Sequence, residues 1–408
     1  MKKHLVAAIF SFISFAVVAQ SKFEKDFLFY WQTIDDNFAY FDRQKIDWKK
    51  VKEVYEKAAE SITNQNDFVH FLESVNNELY NGHVFLNMNT QTSNRTIPSG
   101  SDLKVSWLNR QFMITELREN FNAENCGLAV DMQVIKFNDT PIEEAVKKLL
   151  PRTAETMNKE MYEYAANMLL AGTHNSPRKV TTLLKGREQT FYPDSLPNKT
   201  EKSDTALLEK KLLPGNIGYI KINNSLGNSE LVEAFDNTLN SFLNTNGLIL
   251  DMRETPSGGT TSIARGIMGR FTSKELPYQK HIYSSEEKET GIKRSALELV
   301  SPRGIIYKKQ LVILVGNWTG SMGEGMAIGF DGMKRATIAG TQMAGLLGEI
   351  FTFRTPALNI PFSFPCVKLQ HINGQPREDF IPPVYIKDQK QGIEIAGNLL
   401  RKNISTRQ

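Results

Sequence analysis

The order of apolar and polar residues divides the chain into a helical first part and a later part in which strands and helices alternate. Apolar residues recur at three- and four-residue spacing over 23–36, 47–61 and 67–80, which predicts three amphipathic helices. The elements predicted for the later part are strands at 217–222, 247–252, 307–315 and 336–339 and helices at 229–244, 260–271 and 322–333. Alternation of this kind is typical of an α/β domain with a largely parallel sheet.

The middle of the chain has a mixed pattern. Residues 101–150 combine strand-like runs with a helix that we expect to begin at Pro141, because Thr140 can cap it and Glu143 can complete a capping box. The polar and charged residues 176–211 predict hairpin strands that lead to a boundary with the later α/β part.

One serine stands at a junction between a predicted strand and a predicted helix. The apolar residues 311–315 predict a strand buried on both faces, and residues 316–320, which begin and end with glycine, predict a turn before Ser321. At a helix N-terminus, unpaired N–H groups and the helix dipole favour developing negative charge, so Ser321 could be a nucleophile beside an oxyanion site. A serine at this place can equally be a simple helix cap, and the segment alone leaves both interpretations open.

Composition excludes several classes of protein. The chain has 408 residues, of which 40% are hydrophobic and 23% charged, which is typical of a globular protein of two or three domains. The net charge is only +4 and no long basic run occurs, so we expect no nucleic-acid partner. The six histidines lack the spacing of paired metal ligands and no dinucleotide fingerprint follows a strand, so we expect no metal and no cofactor.

The first residues predict export. Lys2 and Lys3 precede the apolar residues 5–18, and small residues lead to a cut ahead of Gln20, which is the pattern of a signal peptide. The apolar part is shorter than the ~20 residues that span a bilayer, so we expect no integral membrane segment after removal and a periplasmic or secreted protein. The cysteines, Cys126 and Cys366, could form one disulfide or remain free thiols.

Four motifs in order carry a family resemblance. They are IGYIKI from Ile217, LILDMRETPSGG from Leu248, TGSMGEGMAIGF from Thr319 and RATIAGTQMAG from Arg335. Together they resemble the catalytic domain of the C-terminal processing, or tail-specific, serine peptidases. The resemblance implies a crotonase/Clp-protease-like α/β catalytic domain that follows an N-terminal helical region and a PDZ-like domain, and the segment CGLAVDMQVIKFNDTPIEEAVKKL at 126–149 resembles the carboxy half of a PDZ domain.

The expected division of the chain follows from this resemblance. It is a signal peptide at 1–19, a helical region carrying His83 at 20–98, a PDZ-like domain at 99–150, a helix and connecting segment at 151–212, and the catalytic domain at 213–408.

The resemblance also assigns residues to the reaction. Ser321 matches the nucleophile and Glu324 matches the acidic residue three positions later. Gly258 and Gly259 match the glycine pair that would form the oxyanion hole with the N–H of Met322. One extra residue separates Asp251 from these glycines, so the identity of the donor glycine stays open. For Asp251 and Arg253 we expect an ion pair that holds the loop.

The general base is where the chain departs from the commonest pattern. Many members of this family use a lysine 25 residues after the serine, but that position is Leu346, which cannot accept a proton. A second branch, typified by the tricorn protease core, uses an upstream histidine and a glutamate near the C-terminal end. His83, on a short turn in the segment NGHV, resembles that histidine, and Glu378 in NGQPREDFIPP resembles that glutamate.

Alternatives remain for both residues. Asp379 could replace Glu378 as the carboxylate, and His371 could replace His83 as the base. His83 could also be a helix-end histidine bonded to a carbonyl, and Glu378 a solvated charge. With the lysine absent and a histidine present, the chain resembles the histidine-using branch more than the lysine-using one.

These observations lead to one functional hypothesis and two alternatives. The hypothesis is an exported serine peptidase that cleaves peptide or protein substrates through an acyl-enzyme at Ser321, with His83 as base and Glu378 as its carboxylate. The PDZ-like segment would offer a groove for an extended peptide by strand addition. The alternatives are an inactive member that binds a peptide or another ligand, and an esterase, since the same chemistry cleaves esters.

Overall fold

Three helices begin the described chain, as their apolar spacing predicts. The computed structural model describes residues 21–195 and 206–405, so the expected signal peptide at 1–19 lies outside the described residues. The helices are α1 (Lys22–Asn37), α2 (Trp48–Glu60) and α3 (Gln65–Asn76). The side chains of Ser21, Asp47 and Asn64 accept the first free N–H groups, which fixes where each helix starts.

A short turn and a short strand follow the helices. The 3-10 turn Asn77–Leu79 ends α3, and β1 (Phe85–Leu86) begins two residues after His83. His83 therefore lies on a turn between two regular elements, as predicted. The helices bury aromatic side chains in one core with residues of a distant strand, including Phe362 and Phe364.

The middle unit is built on one antiparallel sheet. Its strands are β2 (Leu103–Leu108), β3 (Gln111–Leu117), β4 (Gln133–Phe137), β5 (Thr140–Pro141), β6 (Val180–Leu184) and β7 (Arg187–Phe191), and its helices are α4 (Asn122–Asn125), α5 (Ile142–Ala145) and α6 (Lys159–Ala171). The sheet order is β2-β3-β4-β6-β7, with β5 paired to β4. Because β6 pairs with β4, this sheet continues beyond residue 150, the expected end of the PDZ-like domain.

The predicted start of the helix at Pro141 is wrong. Thr140 and Pro141 form β5, which pairs with Phe137 and Lys136, and the helix begins only at Ile142. The strand pairing holds Thr140 in an extended ladder, so the side-chain cap predicted for it does not form.

The later part has the predicted parallel sheet. Its strands are β8 (Leu208–Leu213), β9 (Ile217–Ile222), β10 (Gly247–Asp251), β13 (Gln310–Val315), β14 (Thr337–Gly340) and β17 (Val384–Tyr385), in the order β17-β14-β13-β10-β9-β8. All pairs are parallel except β8 with β9. One face packs on α7 (Leu231–Ser241), α8 (Thr261–Met268) and α10 (Met322–Gly332), and the other on α11 (Gly392–Ser405). Helices on both faces explain why β10 and β13 are apolar along their length.

A third sheet joins the N-terminal helical part to the later part of the chain. It contains β11 (Leu276–Ile282), β12 (Ser295–Val300), β15 (Glu349–Arg354) and β16 (Pro361–Gln370), with α9 (Ser284–Thr290) after β11. β1 pairs antiparallel with β16, placing Phe85 opposite Ser363 and Leu86 opposite Phe362. This pairing brings the turn that carries His83 to the α/β part.

The fold is thus an α/β fold with N-terminal helices and several sheets, as predicted. Within residues 21–195 and 206–405, no helix is long and apolar enough to cross a membrane. Cys126 and Cys366 are both free thiols, and burial raises the pKa of Cys366 to about 12.

Candidate active site

Ser321 occupies a strained corner between β13 and α10. Its φ and ψ angles are 51° and −111°, a region that costs a serine on the order of 1–3 kcal/mol. The neighbouring residues hold the corner: Thr319 Oγ1 accepts the N–H of Gly316 at 3.0 Å and donates to the carbonyl of Met252 at 2.9 Å. A strained serine on a strand–turn–helix corner is a known way to expose a nucleophile.

Glu324 fixes the corner from the first turn of α10. Its Oε2 accepts the N–H of Ser321 at 2.8 Å, and its Oε1 accepts the N–H of Gly345 at 2.9 Å. The carboxyl group is fully buried, and this burial raises its pKa to about 7. Glu324 therefore ties the serine corner to the loop at 345–348.

Gly258 lies directly against Ser321. A Cβ atom on Gly258 would fall 2.4 Å from Ser321 Cβ and 2.8 Å from the nitrogen of Met322, and its φ of 63° also favours glycine. Met322 is the first residue of α10, so its N–H has no partner within the helix. The structure thus brings Gly258, Ser321 and Met322 together.

The predicted oxyanion-hole residues differ in whether their N–H groups can donate to an oxyanion. The N–H of Gly258 donates to the carbonyl of Thr255 at 3.1 Å. Gly259 packs against Leu226, where an added Cβ would fall 2.0 Å from the carbonyl oxygen. Of the three predicted oxyanion donors, Met322 therefore combines contact with the serine corner and an N–H that the helix leaves free.

His83 is buried and pinned by the loop at 345–348. Its Nδ1 lies 2.6 Å from the carbonyl oxygen of Leu347, and its backbone N–H donates to Asn81 Oδ1 at 3.0 Å. A carbonyl can only accept, so Nδ1 carries the proton and Nε2 keeps the lone pair. Asn81 Oδ1 also accepts the N–H of Leu347 at 3.2 Å, which joins the histidine turn to the same loop.

The imidazole is held in its neutral form. Burial lowers the pKa of His83 to about 3, and the positive charge of Arg377 acts in the same direction. Its hydrogen bond to the carbonyl of Leu347 opposes this shift but does not cancel it.

Leu346 lies between the two turns that carry His83 and Ser321. A Cβ on Gly82 would be 2.9 Å from Leu346 Cδ2, and a Cβ on Gly320 would be 3.2 Å from Leu346 Cδ1. The leucine is 5% exposed. Position 346 is therefore inside the site, and the side chain that fills it is apolar.

Glu378 is buried but contacts a different partner from the predicted one. Its Oε1 lies 3.5 Å from Arg43 Nη1, and its Oε2 has no hydrogen-bond partner among the described residues. His83 bonds instead to Leu347 and Asn81, so within those residues no hydrogen bond joins Glu378 to the imidazole. Asp379, the alternative carboxylate, forms a half-exposed ion pair with Arg43 at 2.6 Å.

The alternative base His371 lies at the wrong end of α10. Its Nε2 is 3.2 Å from Asp331 Oδ2, beside the last residue of the helix. Ser321 precedes the first residue, and eleven helical residues span ~16 Å, so His371 cannot reach the serine.

The ion pair expected between Asp251 and Arg253 is present. Arg253 Nε and Nη2 lie 2.9 and 2.6 Å from the two Asp251 oxygens, and Tyr219 donates to the same carboxylate at 2.9 Å. This pair fixes the end of β10, where the loop to Gly258 begins.

Sequence reasoning missed Arg377. The side chain is 2% exposed, and its Nη1 donates to the carbonyl of Ser321 at 3.2 Å. Its Nη2 donates to the carbonyls of Leu346 at 2.8 Å and Gly348 at 3.1 Å. Its position directly before Glu378 was the single signal in the sequence, because arginine burial cannot be deduced from one residue in a polar segment.

A cleft of about 630 Å³ opens beside the site. The loop at 342–347 and Glu378 line the cleft together with residues of α6 and Lys104. The cleft therefore reaches from Leu346 to β2, the edge strand of the middle unit, and its lining does not include Ser321 or His83.

The outer edge of β2 is already occupied by side chains of α6. Asn167 accepts the N–H of Val105 and donates to its carbonyl, both at 2.9 Å, and Glu163 accepts the N–H of Trp107 at 2.8 Å. These side chains take the places that an added peptide strand would use.

Two parts of the chain match models of known protein families. Residues 216–357 match the model of peptidase family S41, and residues 19–76 match that of the tricorn protease C1 domain. The first range includes Ser321, Gly258 and Leu346, and neither range includes His83 or Glu378.

Solved structures share the fold at low sequence identity. Mature CPAF complexed with lactacystin is 13% identical, with a TM-score of 0.61 over 94% of this chain and 98% of that chain. The photosystem II D1 C-terminal processing protease is 16% identical, with a TM-score of 0.56 over 92% of this chain and 98% of that chain.

Proposed function

We propose that this chain, in which residues 216–357 match peptidase family S41, is an exported serine peptidase with Ser321 as nucleophile and His83 as general base. The observation that carries the proposal is the arrangement around Leu346. On one side Ser321 lies on a strained corner beside the N–H of Met322, which has no partner within α10. On the other side lies the imidazole of His83, whose Nδ1 donates to the carbonyl of Leu347.

The reaction follows from these groups. Ser321 Oγ attacks the carbonyl carbon of the scissile peptide bond while His83 Nε2 takes the hydroxyl proton. The N–H of Met322, at the positive end of α10, donates to the oxyanion. When the tetrahedral intermediate collapses, the C–N bond breaks and His83 gives its proton to the leaving amine. Water then attacks the acyl carbon while His83 Nε2 takes a proton from it. The bond between Ser321 Oγ and the acyl carbon breaks, His83 returns the proton to Oγ, and the acid product leaves.

His83 enters the reaction in its neutral form. With a pKa of about 3 it is unprotonated at neutral pH, and this low pKa also makes it a weaker base than an ordinary imidazole. The imidazolium formed during the reaction is strongly acidic and returns its proton readily. The carbonyl of Leu347 stabilises this cation through Nδ1.

Glu378 is the proposed carboxylate partner of the imidazolium. It is buried, it lines the cleft beside Leu346 and Leu347, and its Oε2 has no hydrogen bond among the described residues. An ionised carboxylate at this place favours the charged form of a neighbouring imidazole. In the structure, its Oε1 forms an ion pair with Arg43.

Peptide or protein chains are the proposed substrates. The cleft lined by α6 and the loop at 342–347 has a volume of about 630 Å³, within the range of ligand sites in proteins, and it is lined by several polar side chains. If the middle unit is PDZ-like, a peptide that added a strand to β2 would first have to displace Asn167 and Glu163. Residues 1–19 support export to the periplasm or outside the cell.

A binding protein without activity is the second candidate. It is favoured by two observations. An apolar side chain, Leu346, lies between the two turns, and no hydrogen bond joins His83 to Glu378 within the described residues. Such a protein would bind peptide in the same cleft and would release it unchanged.

Peptide hydrolysis separates the two candidates. The purified protein would be incubated with an unfolded protein substrate, and new N-termini would be counted by mass spectrometry. We expect cleavage by the wild type and by Ser229→Ala, which removes an exposed serine, but none by Ser321→Ala. Binding of the substrate without cleavage by any of the three would support the second candidate.

A further inference from the structure

We propose that Arg377 is a positioning residue of this site. It holds the Ser321 corner in a fixed position relative to the loop that orients His83, and it supplies a positive charge beside the imidazole. This proposal rests on the proposed function. It concerns a residue outside the predicted set of Ser321, His83 and Glu378, and it starts from the three carbonyl groups that one guanidinium joins.

The first step is the geometry of the guanidinium. Nη1 donates to the carbonyl of the nucleophile itself, Ser321, and Nη2 donates to the carbonyls of Leu346 and Gly348. Those two residues flank Leu347, whose carbonyl receives Nδ1 of His83. The planar fork of arginine can hold these carbonyls in a fixed relation, which a flexible lysine cannot do.

The second step concerns charge. Arg377 is 2% exposed and its closest carboxylate contact is Glu324, at 4.0 Å, a residue whose pKa is itself raised to about 7. The guanidinium is therefore a buried cation bonded mainly to neutral carbonyls. Such a charge acts strongly on its neighbours, because little water screens it.

The third step identifies what the charge acts on. The 3-10 turn Arg377–Asp379 carries three charged groups, Arg377, Glu378 and Asp379, and α10 carries Glu324 in its first turn and Asp331 near its far end. Of these, Arg377 acts on the imidazole in the direction that disfavours its protonation. The same charge favours the negative oxyanion that forms on the substrate carbonyl when Ser321 attacks it, since Nη1 is hydrogen-bonded to the backbone carbonyl of Ser321.

Two substitutions distinguish the positioning role of Arg377 from the effect of its charge. Arg377→Lys keeps the charge but loses the fork, so we expect slower acylation while His83 stays neutral. Arg377→Met loses both, so we expect slower acylation and protonation of His83 at a higher pH. Arg335→Met is the matched control, because Arg335 also donates to three carbonyls, those of Phe271, Tyr307 and Lys309, but beyond the far end of α10.

Two readouts are needed. The first is the rate of labelling of Ser321 by a fluorophosphonate at pH 8, where we expect both Arg377 variants to be slower by about tenfold to a hundredfold. The second is the pH titration of ¹³C-labelled histidine by NMR, with the His83 signal assigned through His83→Ala. We expect His83 in Arg377→Met to titrate about one pH unit or more above the wild type.

The outcomes are distinct. Wild-type labelling rates and an unchanged His83 titration in folded Arg377→Met would overturn the proposal. If Arg377→Met does not fold, wild-type labelling by Arg377→Lys would overturn the positioning role. Equal losses in Arg335→Met and Arg377→Met, with no change at His83, would mean a structural role only. A wild type that does not label at all would instead contradict the proposed function, whatever the NMR result.

Discussion

The Nδ1 atom of His83 lies 2.6 Å from the carbonyl oxygen of Leu347, one residue after the leucine found where the family resemblance leads one to expect a lysine. The loop at 345–348 therefore holds a histidine in place instead of supplying a base. Asn81, Glu324 and Arg377 all bind this loop, so the same few residues fix both the histidine turn and the serine corner.

Replacing Leu346 by alanine tests how this loop is packed. Leu346 is buried between Gly82 and Gly320, so Leu346→Ala should lower the free energy of unfolding by about 2–5 kcal/mol through the cavity it leaves. Urea denaturation would measure the change. Leu297→Ala, at an exposed leucine, should cost less than about 0.5 kcal/mol. An equally small cost at both positions would contradict the packing described.

Gly258 should tolerate no side chain. In Gly258→Ala the new Cβ would fall 2.4 Å from Ser321 Cβ, so the serine corner must move and the labelling rate should fall on the order of a hundredfold. Gly186→Ala is the control, because Gly186 also has a positive φ, 77°, but nothing lies within 4 Å of the new Cβ. Both variants share the backbone strain of about 1 kcal/mol. Equal activity of the two variants would show that contact with Ser321 is unimportant.

Glu324 should make stability depend on pH. Its pKa is about 7 in the folded protein against an ordinary 4.5, so the folded state holds this proton more tightly than the unfolded state. The contribution of Glu324 to the free energy of unfolding is fully present below pH 4.5 and is lost as the pH rises through 7. The free energy of unfolding should fall by at most about 3 kcal/mol over this range. The fall should be absent in Glu324→Gln and retained in Glu275→Gln, an exposed control, in urea denaturation at pH 5 and pH 8. If the free energy of unfolding of Glu324→Gln depends on pH as it does in the wild type, Glu324 is not the group responsible.

The edge of β2 should be less stable without Asn167. The variant Asn167→Ala leaves the N–H and carbonyl of Val105 unpaired and should cost about 1–3 kcal/mol. Asn125→Ala, which removes an exposed hydrogen bond in the same unit, should cost less. If substrates bind by strand addition, Asn167→Ala should also bind an extended peptide more tightly, which calorimetry would detect. Unchanged affinity would count against strand addition at this edge.

The elements that the sequence predicted are those whose signal is local. The three N-terminal helices have regular apolar spacing and polar caps, and the run of β13 followed by small residues predicts the corner at Ser321. The turn that carries His83 followed from the Asn-Gly stop. The helix start at Pro141 was misplaced because a two-residue pairing with β4 outweighed a good capping pattern.

The rest depends on contacts between distant residues. β1 has two residues, and it pairs with Phe362 and Ser363, about two thirds of the chain length further on, so no local pattern predicts that His83 reaches the α/β part. The buried position of Arg377 and the Arg43 contact of Glu378 also arise from tertiary packing alone.

The measurement that tests the central claim most directly is labelling of the protein by a fluorophosphonate, with the modified residue located by mass spectrometry. We predict that the wild type and His174→Ala, which removes an exposed histidine, are labelled at Ser321, while Ser321→Ala is not labelled and His83→Ala is labelled at a rate lower by about a hundredfold or more. Equal labelling of His83→Ala and the wild type, or no labelling of the folded wild type, would contradict the claim that His83 activates Ser321.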